Sequence, residues 1–362
     1  MTILTTTIGS YPKPDYVPIS DWFPNRDDEE AREPNRGLLQ HWQQTNYEVR
    51  LKQAGNQAEE LFARAAKEVI RDQTDAGIDI PTDGEVRREN YIFYQCRHIE
   101  GIDFASVTSK SVRDGAFMAE LPTIAGPIKL RENVLAHDWK VAQALSDHPL
   151  KMTLPGPMTI MDSTSNDYYD DERKLCVDLA TALNVEIRAL AEAGCRHIQV
   201  DEPVFARKPD DALSYGIEAL EHCFQGISEN VTRSTHMCCG YPNALDVDDY
   251  MKADPGAYFM IADAIDSAAI DAVSIEDAHR HNDLKLLGHF KKTSVILGVI
   301  AVAKSRVESV DEIRRRLEQA LDHIDAARLI AAPDCGLGLL TRDLAIQKLR
   351  HLCEAAHSIA TA

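Results

Sequence analysis

The chain has 362 residues, with 39 Lys and Arg against 58 Asp and Glu, a formal net charge of −19. That field repels phosphate backbones and anionic lipid, so neither nucleic acid nor a membrane surface is expected as a partner. Hydrophobic residues at 44% and charged residues at 27% exclude disorder as the main state.

The predicted elements follow in chain order. Met1–Thr6 lacks the basic segment and long apolar core of an export signal, and no apolar run reaches the roughly 18–20 residues of a membrane helix. A first β-branched run, Thr5–Ser10, is followed by a Pro-, Asp-, Glu- and Arg-rich excursion over Pro12–Asn46. Ala58–Ala76 then reads as an amphipathic helix, with Leu61, Phe62, Ala65, Val69 and Ile70 on one face. A second run, Ile78–Asp83, precedes Gly101–Asn133, where Leu121–Ile128 marks an inserted β-hairpin. Further runs are Leu150–Leu154, His197–Asp201, Asn230–His236, Ala272–Glu276, Ser294–Val302 and Ala327–Ala332, and helices are expected over Asp311–Ala327 and Asp343–Ala360.

Strands alternating with helices in this number predict an α/β fold, a (β/α)8 TIM barrel over residues 1–362, with inserted loops after strands 1 and 2. A doubly wound open sheet is the competing α/β reading, but no G-x-G-x-x-G follows the first strand. Excursions as long as 12–46 and 101–133 act as lids, binding loops or surface decoration. With no export signal, the eight cysteines are too sparse for a disulfide scaffold and read as reduced thiols of a cytoplasmic protein, some of them metal ligands.

In a barrel the reactive groups sit where strands end. Here those ends carry Ser10, Asp83 with Glu85, Asp201 with Glu202, His236 with Cys238, Glu276, and Asp334 with Cys335. In extended backbone, side chains two apart share a face, so His236 and Cys238 can share a metal. Alone, an H-x-C pair is more often a buried thiol beside a satisfied histidine than a metal site. Cys335 and Glu276, from nearby strand ends, would complete a set of two thiolates, one imidazole and one carboxylate that suits zinc. Cys239 falls on the opposite face and reads as structural, while Cys96, Cys176, Cys195, Cys223 and Cys353 read as ordinary core or surface thiols. So electron-rich a zinc is poorly suited to making hydroxide, but can lower the pKa of an incoming thiol for attack on an activated alkyl carbon. Water-activating hydrolysis is the competing chemistry. Glu85 and Asp201 suit a substrate ammonium; otherwise Glu85 pairs with Arg87 or Arg88, and Asp201 caps a helix.

At these residues the sequence resembles the catalytic half of the cobalamin-independent methionine synthase family. The likeness rests on Thr5-Thr6-Thr7-Ile8-Gly9-Ser10, Asp83-Gly84-Glu85, Gly156-Pro157-Met158-Thr159-Ile160, Ile198-Gln199-Val200-Asp201-Glu202-Pro203, His236-Met237-Cys238, Ser274-Ile275-Glu276 and Pro333-Asp334-Cys335-Gly336-Leu337. It implies a barrel whose zinc, held by His236, Cys238, Glu276 and Cys335, activates homocysteine for methylation by methyltetrahydrofolate or a methyl-corrinoid. It also implies that Ile8 and Ser10 meet the substrate carboxylate, and Glu85 and Asp201 its amine.

Three departures concern the methyl donor. The N-terminal half of the family's longest members is absent from this sequence. Ala303 stands where the family has a general-acid histidine, with Asp162, Lys304 or His279 as replacements to consider. Ser163 stands where a pterin-stacking tryptophan is expected, with Tyr168 and Tyr169 nearby. Two other readings compete. One is an alkyltransferase for another thiol, similar to epoxyalkane–coenzyme M transferase, which would need cations such as Arg87, Arg88 or Lys304. The other is a barrel like uroporphyrinogen decarboxylase, which needs no zinc.

Overall fold

Parallel strands curl into a sheet whose edges are stitched together by a short extended segment. The computed structural model describes residues 2–19, 47–112, 117–240, 244–248 and 250–360. In chain order the strands are β1 Leu4–Thr5, β2 Ile99–Val112, β3 Phe117–Leu130, β4 Lys151–Pro155, β5 Ser165–Asn166, β6 His197–Asp201, β7 Thr232–Met237, β8 Ala272–Ile275, β9 Ser294–Ile300 and β10 Leu329–Pro333. The main sheet has seven strands in the order β1-β10-β9-β8-β7-β6-β4. Its pairs are all parallel, as βαβ crossovers require. This is the expected barrel architecture.

The expected second strand, Ile78–Asp83, forms no ladder. It lies between β1 and β4, held by single parallel bridges Thr6↔Ile80 and Thr82↔Lys151. Ile80 N donates to Thr5 O at 3.1 Å, and Lys151 N donates to Pro81 O at 2.9 Å, so the ring closes. Pro81 has no N–H to extend the pairing. Gly84 and Glu85 then turn the chain with φ of +67° and +56°. The first strand is likewise shorter than expected: beyond Thr6 the chain leaves the ladder, and Ser10 O accepts from Leu337 N at 2.7 Å.

Inside the barrel Ile8, Ala272, Ile296 and Ala332 pack together. Outside, the helices Ala58–Ala76, Glu172–Ala193, Val310–Leu321 and Arg342–Ser358 bury apolar stripes. Phe62, Val69 and Ile70 of the first are almost wholly buried, each contributing about 1.5–3 kcal/mol. Asp171, Ser309 and Thr341 cap the last three through side-chain oxygens.

The inserted hairpin is present as antiparallel β2 and β3, with β5 beside β3 in a separate three-stranded sheet. Most of the Pro12–Asn46 excursion, residues 20–46, lies outside the described residues. Among the described residues, no helix is long and apolar enough to cross a membrane.

Candidate active site

A cavity of about 320 Å³ is lined by Ile8, Ser10, Glu85, Asp201, His236, Cys238 and Cys335, together with residues of the β6 and β7 loops. Seven of the eight predicted site residues therefore share one chamber at the strand ends. Strand register accounts for much of this: Asp201 of β6 pairs with His236 of β7, which pairs with Ser274 of β8.

The ligating atoms of His236, Cys238 and Cys335 lie within 4.8 Å of one another. His236 Nδ1 shares a 2.9 Å hydrogen bond with Ser274 Oγ, while Nε2 is buried with no hydrogen-bond partner among the described residues. A buried imidazole nitrogen is costly to leave unpaired, and a cation between it and two sulfurs satisfies it. The donor set and the orphaned nitrogen thus fit zinc, with Ser274 orienting the ring.

Glu276 stands slightly apart from this cluster. Its Oε2 is 3.6 Å from Cys238 Sγ and accepts from Cys239 N at 3.2 Å, while Oε1 is paired with Lys252. The neighbouring Cys335 thiol and burial push the Cys238 thiol well above the usual range, which a bound cation would reverse. Cys239 stays outside the cluster and packs in the core. Of the core and surface placements open to Cys96, Cys176, Cys195, Cys223 and Cys353, the structure shows all five as buried free thiols.

The carboxylate pair is held by its own contacts. Glu85 Oε1 accepts from Thr153 Oγ1 at 2.8 Å, and Glu85 N donates to Asp83 Oδ1 at 3.0 Å. Gly9 is needed here, because a Cβ on it would lie 2.6 Å from Glu85 Oε1. Asp201 accepts from Gln199 Nε2 at 2.7 Å and caps no helix. Its neighbour Glu202 does that, accepting from the Met158 and Thr159 amides of the helix Pro157–Asp162. Arg87 is engaged by Glu59 and Asp138, and Arg88 approaches Glu85 at 3.5 Å and Asp83 at 3.7 Å. Burial, reinforced by the nearby carboxylates against Arg88, pushes Glu85 up to about 7. Burial, against His236 and Gln199, pushes Asp201 up to about 6.

Farther along the wall lie Ser163, Asp162, Arg207, Tyr91 and Phe93. The last two come from the helix Tyr91–Cys96, capped by Asn90. The sequence reading missed both, although an Asn before an apolar run is a helix-start signal. It also missed Lys252, for which the sequence carries no signal.

Neither Tyr168 nor Tyr169 lines the cavity. Tyr169 is tied to Ile128 N and Asp178, and Tyr168 is half exposed against it. Of the replacement acids, His279 is locked by Asp334 and Ala303, and Lys304 is paired with Asp248. Asp162 does line the wall. Although burial acts the other way, Arg207 and Lys208 hold it below the usual carboxylate range.

A family profile described as cobalamin-independent synthase, catalytic domain, matches residues 39–358. The chain belongs to this family. It is 32% identical to the methionine synthase of Sulfolobus acidocaldarius over 96% of this chain and 90% of that one. To the methionine synthase of Saccharolobus solfataricus it is 30% identical, over 97% and 92%. Among solved structures, a B12-independent methionine synthase from Shewanella sp. W3-18-1 in complex with selenomethionine superposes with a TM-score of 0.82 at 28% identity, covering 98% of this chain and 97% of that one. A methyltransferase from Methanosarcina mazei shares the fold, with a TM-score of 0.59 at 14% identity, over 99% and 94%.

Proposed function

We propose that this chain is a zinc-dependent methyltransferase, acting as one catalytic barrel, that transfers a methyl group to the thiol of homocysteine to give methionine. The observation that carries this reading is the unpartnered His236 Nε2 grouped with two thiols in a chamber that also presents two buried carboxylates. Zinc would be held by His236, Cys238 and Cys335, with Glu276 as fourth ligand once it turns from Lys252. When bound, it supplies a lowered thiol pKa, so that a thiolate nucleophile exists at neutral pH.

The chain's own residues do the rest. Glu85 and Asp201 receive the ammonium, and its charge holds both ionised. Ile8 and Ser10, beside Gly336, receive the carboxylate; a Cβ on Gly336 would lie 2.2 Å from Ser10 Oγ. Together these contacts aim the sulfur at the metal ligands and keep water from the reacting atoms. The cations that a sulfonate-bearing thiol would need are already engaged, Arg87 by Glu59, Arg88, which lines the cavity, by Thr153 O, Asp83 and Glu85, and Lys304 by Asp248, which favours the amino-acid thiol.

For the donor, we infer a methyl carrier whose leaving group needs no protonation, such as methylcobalamin. Departure of the folate amine calls for a positioned acid, worth roughly 10²–10⁴ in rate. At the expected place stands Ala303, and neither His279 nor the ion-paired Asp162 is arranged to replace it. The test is turnover of homocysteine against a panel of methyl donors, scoring methionine, with zinc content measured on the same preparation.

A further inference from the structure

One buried cluster joins loops that the proposed chemistry uses only where they leave their strands. Asp334, wholly buried, accepts hydrogen bonds from the Asp277 and Ala278 amides at 2.9 Å and from the His279 amide and His279 Nδ1 at 2.7 Å. Its carboxylate crowds β9 as well: a Cβ on Gly298 would lie 2.2 Å from Asp334 Oδ1. His279 Nε2 accepts from Ala303 N at 3.0 Å, and Ala303 O accepts from Asp246 N at 2.9 Å. The His279 ring therefore donates at one nitrogen and accepts at the other, a single tautomer spanning the loops after β8, β9 and β10. Asp334 adjoins Cys335, and the amides it gathers directly follow Glu276.

We propose that Asp334 and His279 form a latch that positions Cys335 and Glu276 as metal ligands, by fixing the loops after β8 and β10 against each other. This rests on the metal reading of the His236, Cys238 and Cys335 cluster. Both are positioning residues, since neither lines the cavity. The latch differs from ordinary loop stabilisation, which the same loop obtains elsewhere: Arg316 grips Asp277 at 2.6 and 2.7 Å from the outer helix Val310–Leu321 without touching Asp334.

The test measures zinc affinity by competition with a chromophoric chelator, beside thermal unfolding of the metal-free protein. It compares the unmutated chain with Asp334→Asn, His279→Ala, His279→Asn and Arg316→Gln. Removing such outer contacts lowers metal affinity about 10- to 100-fold, the loss expected for Asp334→Asn and His279→Ala. His279→Asn, whose amide reaches Asp334 in place of Nδ1, recovers most of it. Arg316→Gln lowers the unfolding temperature but leaves zinc affinity within about threefold, because it does not set ligand geometry. Unchanged affinity in Asp334→Asn and His279→Ala, or an equal loss in Arg316→Gln, overturns the latch while leaving the metal site standing. No zinc uptake by the unmutated chain overturns both.

Discussion

At the scale of single residues, recognition of an amino acid turns on two carboxylates whose titration burial moves toward neutral pH. Only their ionised forms pair with an ammonium, so affinity for an amino acid should rise as pH passes upward through about 6 to 7, where Asp201 and Glu85 titrate. Methionine isolates this effect because it has no thiol to ionise. Calorimetry from pH 5 to 8 should show binding tighten with pH, and a flat profile would count against both residues. Glu85→Gln and Asp201→Asn should each weaken methionine binding by about 1.5–3 kcal/mol, as charged hydrogen bonds in a buried site. On the metal side, Cys238→Ser should strip the zinc and Cys239→Ser should leave it. The reverse result would place the site on the other strand face. His236 and Cys238 were legible because alternation along a strand is a geometric rule, and Cys335 because the ends of barrel strands converge on one face. The Glu276–Lys252 pairing was not, since no local rule joins residues on loops from different strands.

At the scale of elements, turns and close approaches decide the geometry. Gly9 clears the space that Glu85 fills, so Gly9→Ala should displace that carboxylate and weaken methionine binding at unchanged zinc content. Binding equal to that of the unmutated chain would show that Glu85 does not hold the amine. Asn90 caps the helix that carries Tyr91 and Phe93 into the cavity wall. Asn90→Ala should cost about 1 kcal/mol of stability, read from denaturant unfolding. Most strands were legible to within a few residues, His197–Asp201 with both ends as expected, because β-branched runs bounded by turns mark buried parallel strands. The segment Ile78–Asp83 was placed correctly but pairs only by single bridges, since Pro81 interrupts its hydrogen bonding. The inserted hairpin was foreseen; its pairing with β5 was not, for a two-residue strand leaves no periodic trace.

At the scale of the whole molecule, the barrel brings together residues separated by most of the chain, from Ile8 to Gly336, in one cavity. The acceptor side of that cavity carries the residues expected for a thiol and an amino acid. The donor side departs, with Ser163 in the wall where a stacking ring was expected, Tyr168 and Tyr169 outside the wall, and Ala303, buried outside it, at the sequence position expected for an acid. The most direct measurement is the initial rate of methionine formation by the zinc-loaded protein at saturating homocysteine, with methylcobalamin and methyltetrahydrofolate at matched concentration. Methionine should form from homocysteine, and faster with methylcobalamin by up to the roughly 10²–10⁴ that a missing general acid costs the folate reaction. A faster rate with methyltetrahydrofolate would contradict the donor assignment, and no methionine from either donor would contradict the reaction itself.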